Sequence, residues 1–323
     1  MDVVAVVREA AAPALAHASD RPLLVMLSGG RDSVCLLDVA LALHGPRDLR
    51  ALHVNYGLGE EATADEQHCV AVCGALGVEL SVLRESRSPL KGAAPAGGSG
   101  NVQAWAREVR YREAGRIASE HDGLLATGHT ASDQVETILY RLACSPGRRA
   151  LLGMLASDGR LIRPLLGVTR EQTAAYCEAR SLSWREDASN EDEHYARSRV
   201  RHGLLESLRA VHPAADANVL RTARLLREET ELLDALVAEE LGGRASISIA
   251  RLAELPPALA RLVVVRLAEQ AVGDYVPQAG DRVGEILALA RRGGRAELHV
   301  GANAGAVIEG GVLEMVRLPP RGD

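Results

Sequence analysis

Phenylalanine is absent from the 323 residues and Lys91 is the single lysine; neither fact carries a mechanism. No stretch approaches ~18 uninterrupted apolar residues, which argues against a membrane-spanning helix. The opening MDVVAVVREAAAPALAHASDR has neither a basic start nor a cleavage site, so the expected compartment is the cytoplasm. Cysteine is sparse and odd in number: Cys35, Cys69, Cys73, Cys144 and Cys177 form no CxxC pair. Cys69 and Cys73 stand at i and i+4 with His68 beside them, a spacing open to a metal or to two buried thiols on an amphipathic helix. There is no basic tail and the net charge is −6, so general affinity for nucleic acid is not advertised.

What is present begins with LLVMLSGGRDSVCLLDVAL at 23–41, an apolar run that breaks at Ser28-Gly29-Gly30 and resumes with helical spacing. Two glycines between a strand and a helix let the backbone turn tightly beside a ligand, and the helix start offers unpaired amides and partial positive charge. Phosphate suits that nest. Ser28 and Ser33 have hydroxyls for it, while Asp32, an anion, is suited to a magnesium ion bridging phosphate oxygens. The Gly-Lys-Ser/Thr ending of a Walker A loop is missing. An ordinary glycine turn capped by Asp32 or Ser33 is the other reading.

Through the first half, apolar runs at 23–27, 49–54, 78–83 and 123–127 alternate with helical patterns at 34–43, 61–76, 102–120 and 132–143. That alternation predicts a parallel sheet with crossover helices. The Gly-, Pro- and Ser-rich segment 86–101 predicts a surface loop, either a lid or a plain connection. RLIRPLL at 160–166 reads as another strand, followed by a helix starting near Thr169. Long helical patterns take over beyond about 213, and GRAELHVGANAGAVIEGGVLEMVRL reads as short strands and turns. The expected division is 1–212 and 213–323. From His194 to Arg227 seven arginines face two acids, a local balance of +5 that fits phosphates or a solvated helical face.

Four further segments follow the opening motif in order: HVNYGL (53–58), NVQAWAREVRYREA (101–114), TGHTASDQVETILYRL (127–142) and WREDASNEDEHYARSRVRHGLL (184–205). Together they resemble the tRNA(Ile)-lysidine synthetases of the PP-loop ATP pyrophosphatase family. SGGRDS matches the SGGxDS loop common to PP-loop enzymes. The set Glu186, Asp187, Ser189, Asn190, Asp192, Tyr195, Arg197, Arg199, Arg201 and His202 matches the narrower lysidine synthetase pattern. Four places depart from the family: Thr130 and Ser132 stand for a second histidine and an aspartate, Tyr56 stands for a histidine, and CSPGRRALLGM (144–154) is looser than the glycine-rich GSGxxGLxGM. The chain also ends early compared with longer members and is similar to the short form.

The resemblance implies an α/β doubly wound sheet of the adenine nucleotide α-hydrolase type, then a helical linker and a small C-terminal domain that contacts tRNA. It implies a cytoplasmic ATP-dependent ligase joining free L-lysine to C2 of the wobble cytidine in the CAU-anticodon isoleucine tRNA. It further implies ATP and Mg2+ as requirements, no membrane, and a homodimer. Ser28, Gly29, Gly30, Arg31, Asp32 and Ser33 would cradle the phosphates, with magnesium on Asp32 and on Asp133. His129, Asp133, Asp32 and Arg110 would serve catalysis; His129 and Asp133, at i and i+4, are expected on one helix face. Asp133 and Glu136 would take the lysine amine, and Arg107, Arg197, Arg199, Arg201 and His202 would meet tRNA or other phosphates. Trp184 is read as packing in preference to base stacking. A 2-thiolating PP-loop enzyme and a non-catalytic nucleotide-binding protein are the rival functions.

Overall fold

The computed structural model describes residues 2–57, 60–85, 100–145, 147–185 and 196–319, with the side chains of 60, 100–104, 196 and 197 excluded. Residues 86–99 of the expected loop, the 186–195 part of the last motif and the Arg197 side chain therefore lie outside the described residues, while residues 100 and 101 belong to a helix. Two compact units divide the chain, Met1–Ala223 and Arg224–Asp323.

The first unit is built on a six-stranded sheet. In chain order its strands are β1 (Leu23–Met26), β2 (Leu49–Asn55), β3 (Glu79–Arg84), β4 (Leu124–Ala126), β5 (Ser157–Asp158) and β6 (Leu161–Ile162), and in space they run β3-β2-β1-β4-β6-β5. All neighbours are parallel except β5 and β6. Every residue of β1 is buried, as expected for a central strand covered on both faces. The helices α2 (Arg31–His44), α3 (Glu60–Leu76), α4 (Gly100–Glu120) and α5 (Ala131–Cys144) follow β1, β2, β3 and β4. The expected doubly wound architecture is therefore present. Strand order reverses between β1 and β4, so the loops leaving these two strands flank the crevice where such sheets bind ligands.

Two local differences from the sequence reading have physical reasons. RLIRPLL yields only the two-residue β6, because its chain turns away once it has paired with both β4 and β5. A helix not anticipated, α1 (Val3–Ala16), carries Pro13 inside it and buries Val7, Ala11 and Leu15. Pro13 in its interior is the residue that reads against a helix there. Thr169 caps α6 (Arg170–Ala179) in a reciprocal box with Gln172, as its sequence predicts. Trp184 packs against the main core, which favours the packing reading.

After the undescribed stretch, α7 (Ala196–Arg199) runs into a π turn (Val200–Leu204) and then α8 (Leu205–Val211). Val200 and Leu205 are buried together with Val135 and Leu139 of α5. The long α9 (Ala215–Leu241) contains the division between the units. The second unit has an antiparallel sheet in the order β7 (Ser246–Ser248), β10 (Val312–Arg317), β9 (Ala304–Glu309), β8 (Ala296–Gly301). Its core joins these strands to α10 (Ile249–Glu254), α11 (Pro257–Val272) and α12 (Val283–Arg291). The tail thus contains the short strands that its sequence suggests.

Candidate active site

The SGGRDS turn stands between β1 and α2. Gly29 has φ +88°, a value that favours glycine, and a Cβ there would come within 3.2 Å of the Cys69 sulfur. Gly30 is the N-cap of α2 and supplies no side-chain cap, which corrects the reading of Asp32 or Ser33 as the cap. The first-turn amides at Arg31 and Asp32 have no carbonyl within the helix to bond. Ser33 Oγ donates to the Gly30 carbonyl at 2.8 Å and receives the Ser28 amide at 3.2 Å, with the Ser28 hydroxyl 3.1 Å away. The hydroxyls thus pin a narrow turn whose open side presents backbone donors. Gly128 closes in from β4: a Cβ on it would lie 3.0 Å from the Asp32 carbonyl carbon and oxygen.

Asp32 does not extend freely from this turn. Thr173 on α6 donates to its Oδ1 at 2.5 Å, Arg31 Nε lies 3.4 Å from the same oxygen, and Arg170 Nε lies 3.7 Å from Oδ2. Burial raises the Asp32 pKa, and the Asp133 charge adds to the rise, against the pull of Thr173 and the arginines.

Asp133 and Glu136, one turn apart on α5, meet the same guanidinium. Arg170 Nη2 reaches Asp133 Oδ1 at 2.7 Å and Nη1 reaches Glu136 Oε1 at 3.1 Å, while Arg201 forks onto Glu136 at 2.7 and 3.0 Å. The second Asp133 oxygen receives the Thr130 amide and hydroxyl, both at 2.8 Å, completing a capping box. Burial pushes the Asp133 carboxyl up, but Arg170 and the Thr130 bonds outweigh it and hold its pKa below the usual value. Arg170 and Thr173 are thus central members of the site that sequence reasoning missed. Their signal was faint: an arginine just inside a correctly read helix start, and a threonine three residues on.

Several expected placements change. His129 precedes the N-cap Thr130, so it stands on the β4–α5 loop and not on one helix face with Asp133. It still acts on the Asp133 charge, and its Nδ1 is 2.8 Å from Thr127 Oγ1. Arg201 lies on Glu136, not on an open phosphate-facing surface, because a half-buried guanidinium beside a buried carboxylate is best satisfied there. Arg209 pairs with Asp216 and Arg224 with Glu228, so the arginine-rich stretch 197–227 is partly neutralised. His202 and Arg199 are exposed. Arg110 donates to the Tyr56 hydroxyl at 2.9 Å and stacks on its ring; Arg107 lies 4.7 Å from the Tyr111 ring centroid.

Tyr56, Thr130 and Ser132, three of the departures from the family pattern, have visible work. Tyr56 donates onward to the Ala106 carbonyl at 2.8 Å, tying the end of β2 to α4. Thr130 is fully buried and orients Asp133, while Ser132 Oγ accepts the Arg170 amide at 3.4 Å. Arg31, Ser132, Glu136, Arg170, Glu171, Arg201, His202 and Arg209 line a cleft of about 550 Å³ beside the carboxylates.

Cys35, Cys69, Cys73 and Cys177 are buried and Cys144 is exposed. Burial pushes the Cys69 thiol up to about 12 and the Cys73 thiol to about 11, which suits packed thiols. Among the described residues no three His, Cys, Asp or Glu side chains are placed to hold a metal by themselves. The charges of Asp32 and Asp133 act on one another, and a magnesium ion held by that pair would take its remaining oxygens from phosphates and water.

Comparison with known proteins was made on this framework. The PP-loop domain family matches residues 4–208. The chain is 38% identical over 224 residues to the tRNA(Ile)-lysidine synthase of Pseudomonas fluorescens (strain Pf0-1), covering 67% of this chain and 48% of that one. With the enzyme of the same name from Solibacter usitatus (strain Ellin6076) it shares 35% over 269 residues, 80% of this chain and 58% of that one. The chain spans about half the length of the first of these relatives. Among solved structures it is similar in fold to the U34-tRNA thiolase NcsA from Methanococcus maripaludis, described with its [4Fe-4S] cluster, at TM-score 0.56 and 16% identity, over 70% of this chain and 80% of that one. No helix among the described residues is long and apolar enough to cross a membrane.

Proposed function

The chain belongs to the PP-loop family, and from that membership we propose that it joins lysine to C2 of the wobble cytidine of the CAU-anticodon isoleucine tRNA, using ATP. The observation that carries the reading is the carboxylate set around Arg170: Asp32 at the phosphate turn, and Asp133 with Glu136 one helix away. An anionic pair beside an anion-binding turn suits a reaction between a phosphorylated intermediate and a cationic amine.

The C2 oxygen of cytidine is a poor leaving group. Its attack on the α-phosphate of ATP forms a C2–O–adenylate and releases pyrophosphate. The lysine ε-amine then bonds to C2, the C–O bond breaks, and AMP leaves. The turn from Ser28 to Ser33 binds the pyrophosphate end through backbone amides and hydroxyls. Asp32 and Asp133 would hold a magnesium ion, which would supply charge neutralisation at the phosphates. His129 and Arg110 stabilise phosphate charge. Asp133 and Glu136 orient the amine, and Arg170 and Arg201 hold these acids ionised and in place. Arg107, Arg197, Arg199 and His202 are assigned to RNA phosphates.

The 2-thiolation alternative has less support, because four of the five cysteines are buried and those at 69 and 73 are held as thiols. The non-catalytic alternative rested on Thr130 and Ser132, which here support Asp133 and Arg170. The deciding experiment supplies ATP, radiolabelled lysine and a CAU-anticodon isoleucine tRNA transcript. AMP, pyrophosphate and labelled RNA should appear together and vanish in Asp32→Ala. Pyrophosphate without labelled RNA would move the assignment to another nucleophile, and no release at all would leave a binding protein.

A further inference from the structure

Arg163 follows β6 at the C-terminal end of the parallel sheet, where the Ile162 carbonyl receives the Thr127 amide on the way to His129. Its side chain is 8% exposed, yet it has no carboxylate partner among the described residues. Nη1 donates to the Leu155 carbonyl at 2.6 Å, whereas the buried Nε has no partner. A buried guanidinium without an anion is expensive, and the fold tolerates it here without a neutralising acid at hydrogen-bond distance.

Arg163 is not alone. Arg141 on α5 anchors one nitrogen, Nη1, on the Gly153 carbonyl at 2.6 Å, two residues along the chain from the carbonyl that holds Arg163. That stretch is fixed in turn, since the Gln134 side chain bonds both the amide and the carbonyl of Met154. Arg107 lies on the Tyr111 ring, and Arg107 and Arg141 are both near enough to repel Arg163. Tyr111 and the exposed Asp158 act the other way. Arg141 and Arg163 are thus anchored on one fixed stretch of backbone, Arg163 keeps an unpartnered Nε, and Arg107 lies near enough for its charge to act on Arg163.

We propose that Arg107, Arg141 and Arg163 form a second anion site beside the crevice that takes a phosphodiester group of the RNA strand. It rests on the proposed function, in which the phosphate turn at Ser28–Ser33 is already committed to ATP. A polyanion that must present one base to the crevice needs its backbone held to the side of the ATP phosphates, and Arg163 stands one strand over from β4.

The test uses the full chain and fluorescently labelled anticodon stem-loop RNA carrying CAU, with variants Arg163→Met and Arg141→Gln. Each should weaken RNA binding about tenfold, and reduce the slope of log affinity against log salt by about 0.7 per lost contact. ATP affinity should hold, and the melting temperature of Arg163→Met should stay level or rise, because a structural arginine would show the reverse. Unchanged RNA affinity and slope in both variants, with wild-type chain binding RNA, would overturn the site and leave the proposed function standing. Weakened ATP binding with unchanged RNA binding would assign the phosphate to the nucleotide and overturn the RNA site. A wild-type chain that neither binds the stem-loop nor labels tRNA would remove both.

Discussion

Thr173 Oγ1 donates a 2.5 Å hydrogen bond to Asp32 Oδ1, joining the middle of α6 to the first turn of α2. The bond favours the ionised carboxylate, opposing the burial that raises its pKa. Thr173→Val should push that pKa higher still, so the acid limb of the pH–rate profile for AMP release moves to higher pH. Thr173→Ser should restore it. An identical limb in the valine variant would disconnect the hydroxyl from Asp32.

Asp32 itself should trade stability for activity. Its native pKa lies above its unfolded one, so the folded chain binds more protons, and stability falls as pH rises through the interval between the two values. Asp32→Asn should abolish pyrophosphate release while keeping or raising the melting temperature at neutral pH. A lower melting temperature would mean that the charge itself supports the fold.

Arg170 bridges three carboxylates from two helices, and Arg170→Ala leaves them facing one another. A loss of about 2 kcal/mol is expected at pH 7, discounted for the partial exposure of the site. The Asp133 pKa is held low, so its stabilisation is present above the unfolded value of about 3.9 and disappears as pH falls through the folded value. Urea titrations of both proteins should therefore converge in acid.

Glu136→Gln retains shape and removes charge. The expected result is a rise in the KM for lysine of about tenfold, from loss of a charge-assisted contact, with pyrophosphate release largely retained. Equal loss of both partial reactions would place Glu136 in the framework of the site instead of on the amine.

Asp38, 2% exposed, accepts from the Tyr176 hydroxyl at 2.6 Å and from Arg180, linking α2 to α6. Tyr176→Phe should cost about 1–2 kcal/mol in equilibrium unfolding, with most of the cost arising from the carboxylate's lost donor. The Asp38 pKa is raised by burial but lowered more by Arg180 and Tyr176, so the bond's contribution fades as pH falls through its folded value.

The alternation of short apolar-rich runs with longer helical stretches was enough for β1 to β4 and the helices after them, although β2 and β3 carry polar residues among their apolar ones. It failed at α1, where Pro13 inside the helix reads as a breaker, and at β6, which is only two residues long. The phosphate turn was legible because its chemistry is contiguous. The carboxylate set was only half legible: Asp32, Asp133 and Glu136 stood out as acids, but the cation that gathers them comes from a separate helix. Arg201 was noticed for its charge and assigned to phosphate, since nothing in a linear pattern reveals that Glu136 lies opposite it.

The π turn at Val200–Leu204 sets how the chain can vary in length at this place. A wide turn holds one residue more than a regular one. Removing that residue would keep the hydrogen-bonded rod but rotate everything beyond it by about 100°. Arg201 would lose its bearing on Glu136 or Leu205 its seat against α5, because both are read from opposite sides of the same loop of backbone. Substitution within the turn is therefore far more permissible than deletion, and the spacing between Arg201 and Leu205 is a fixed measure, like the gap between two teeth of a gear.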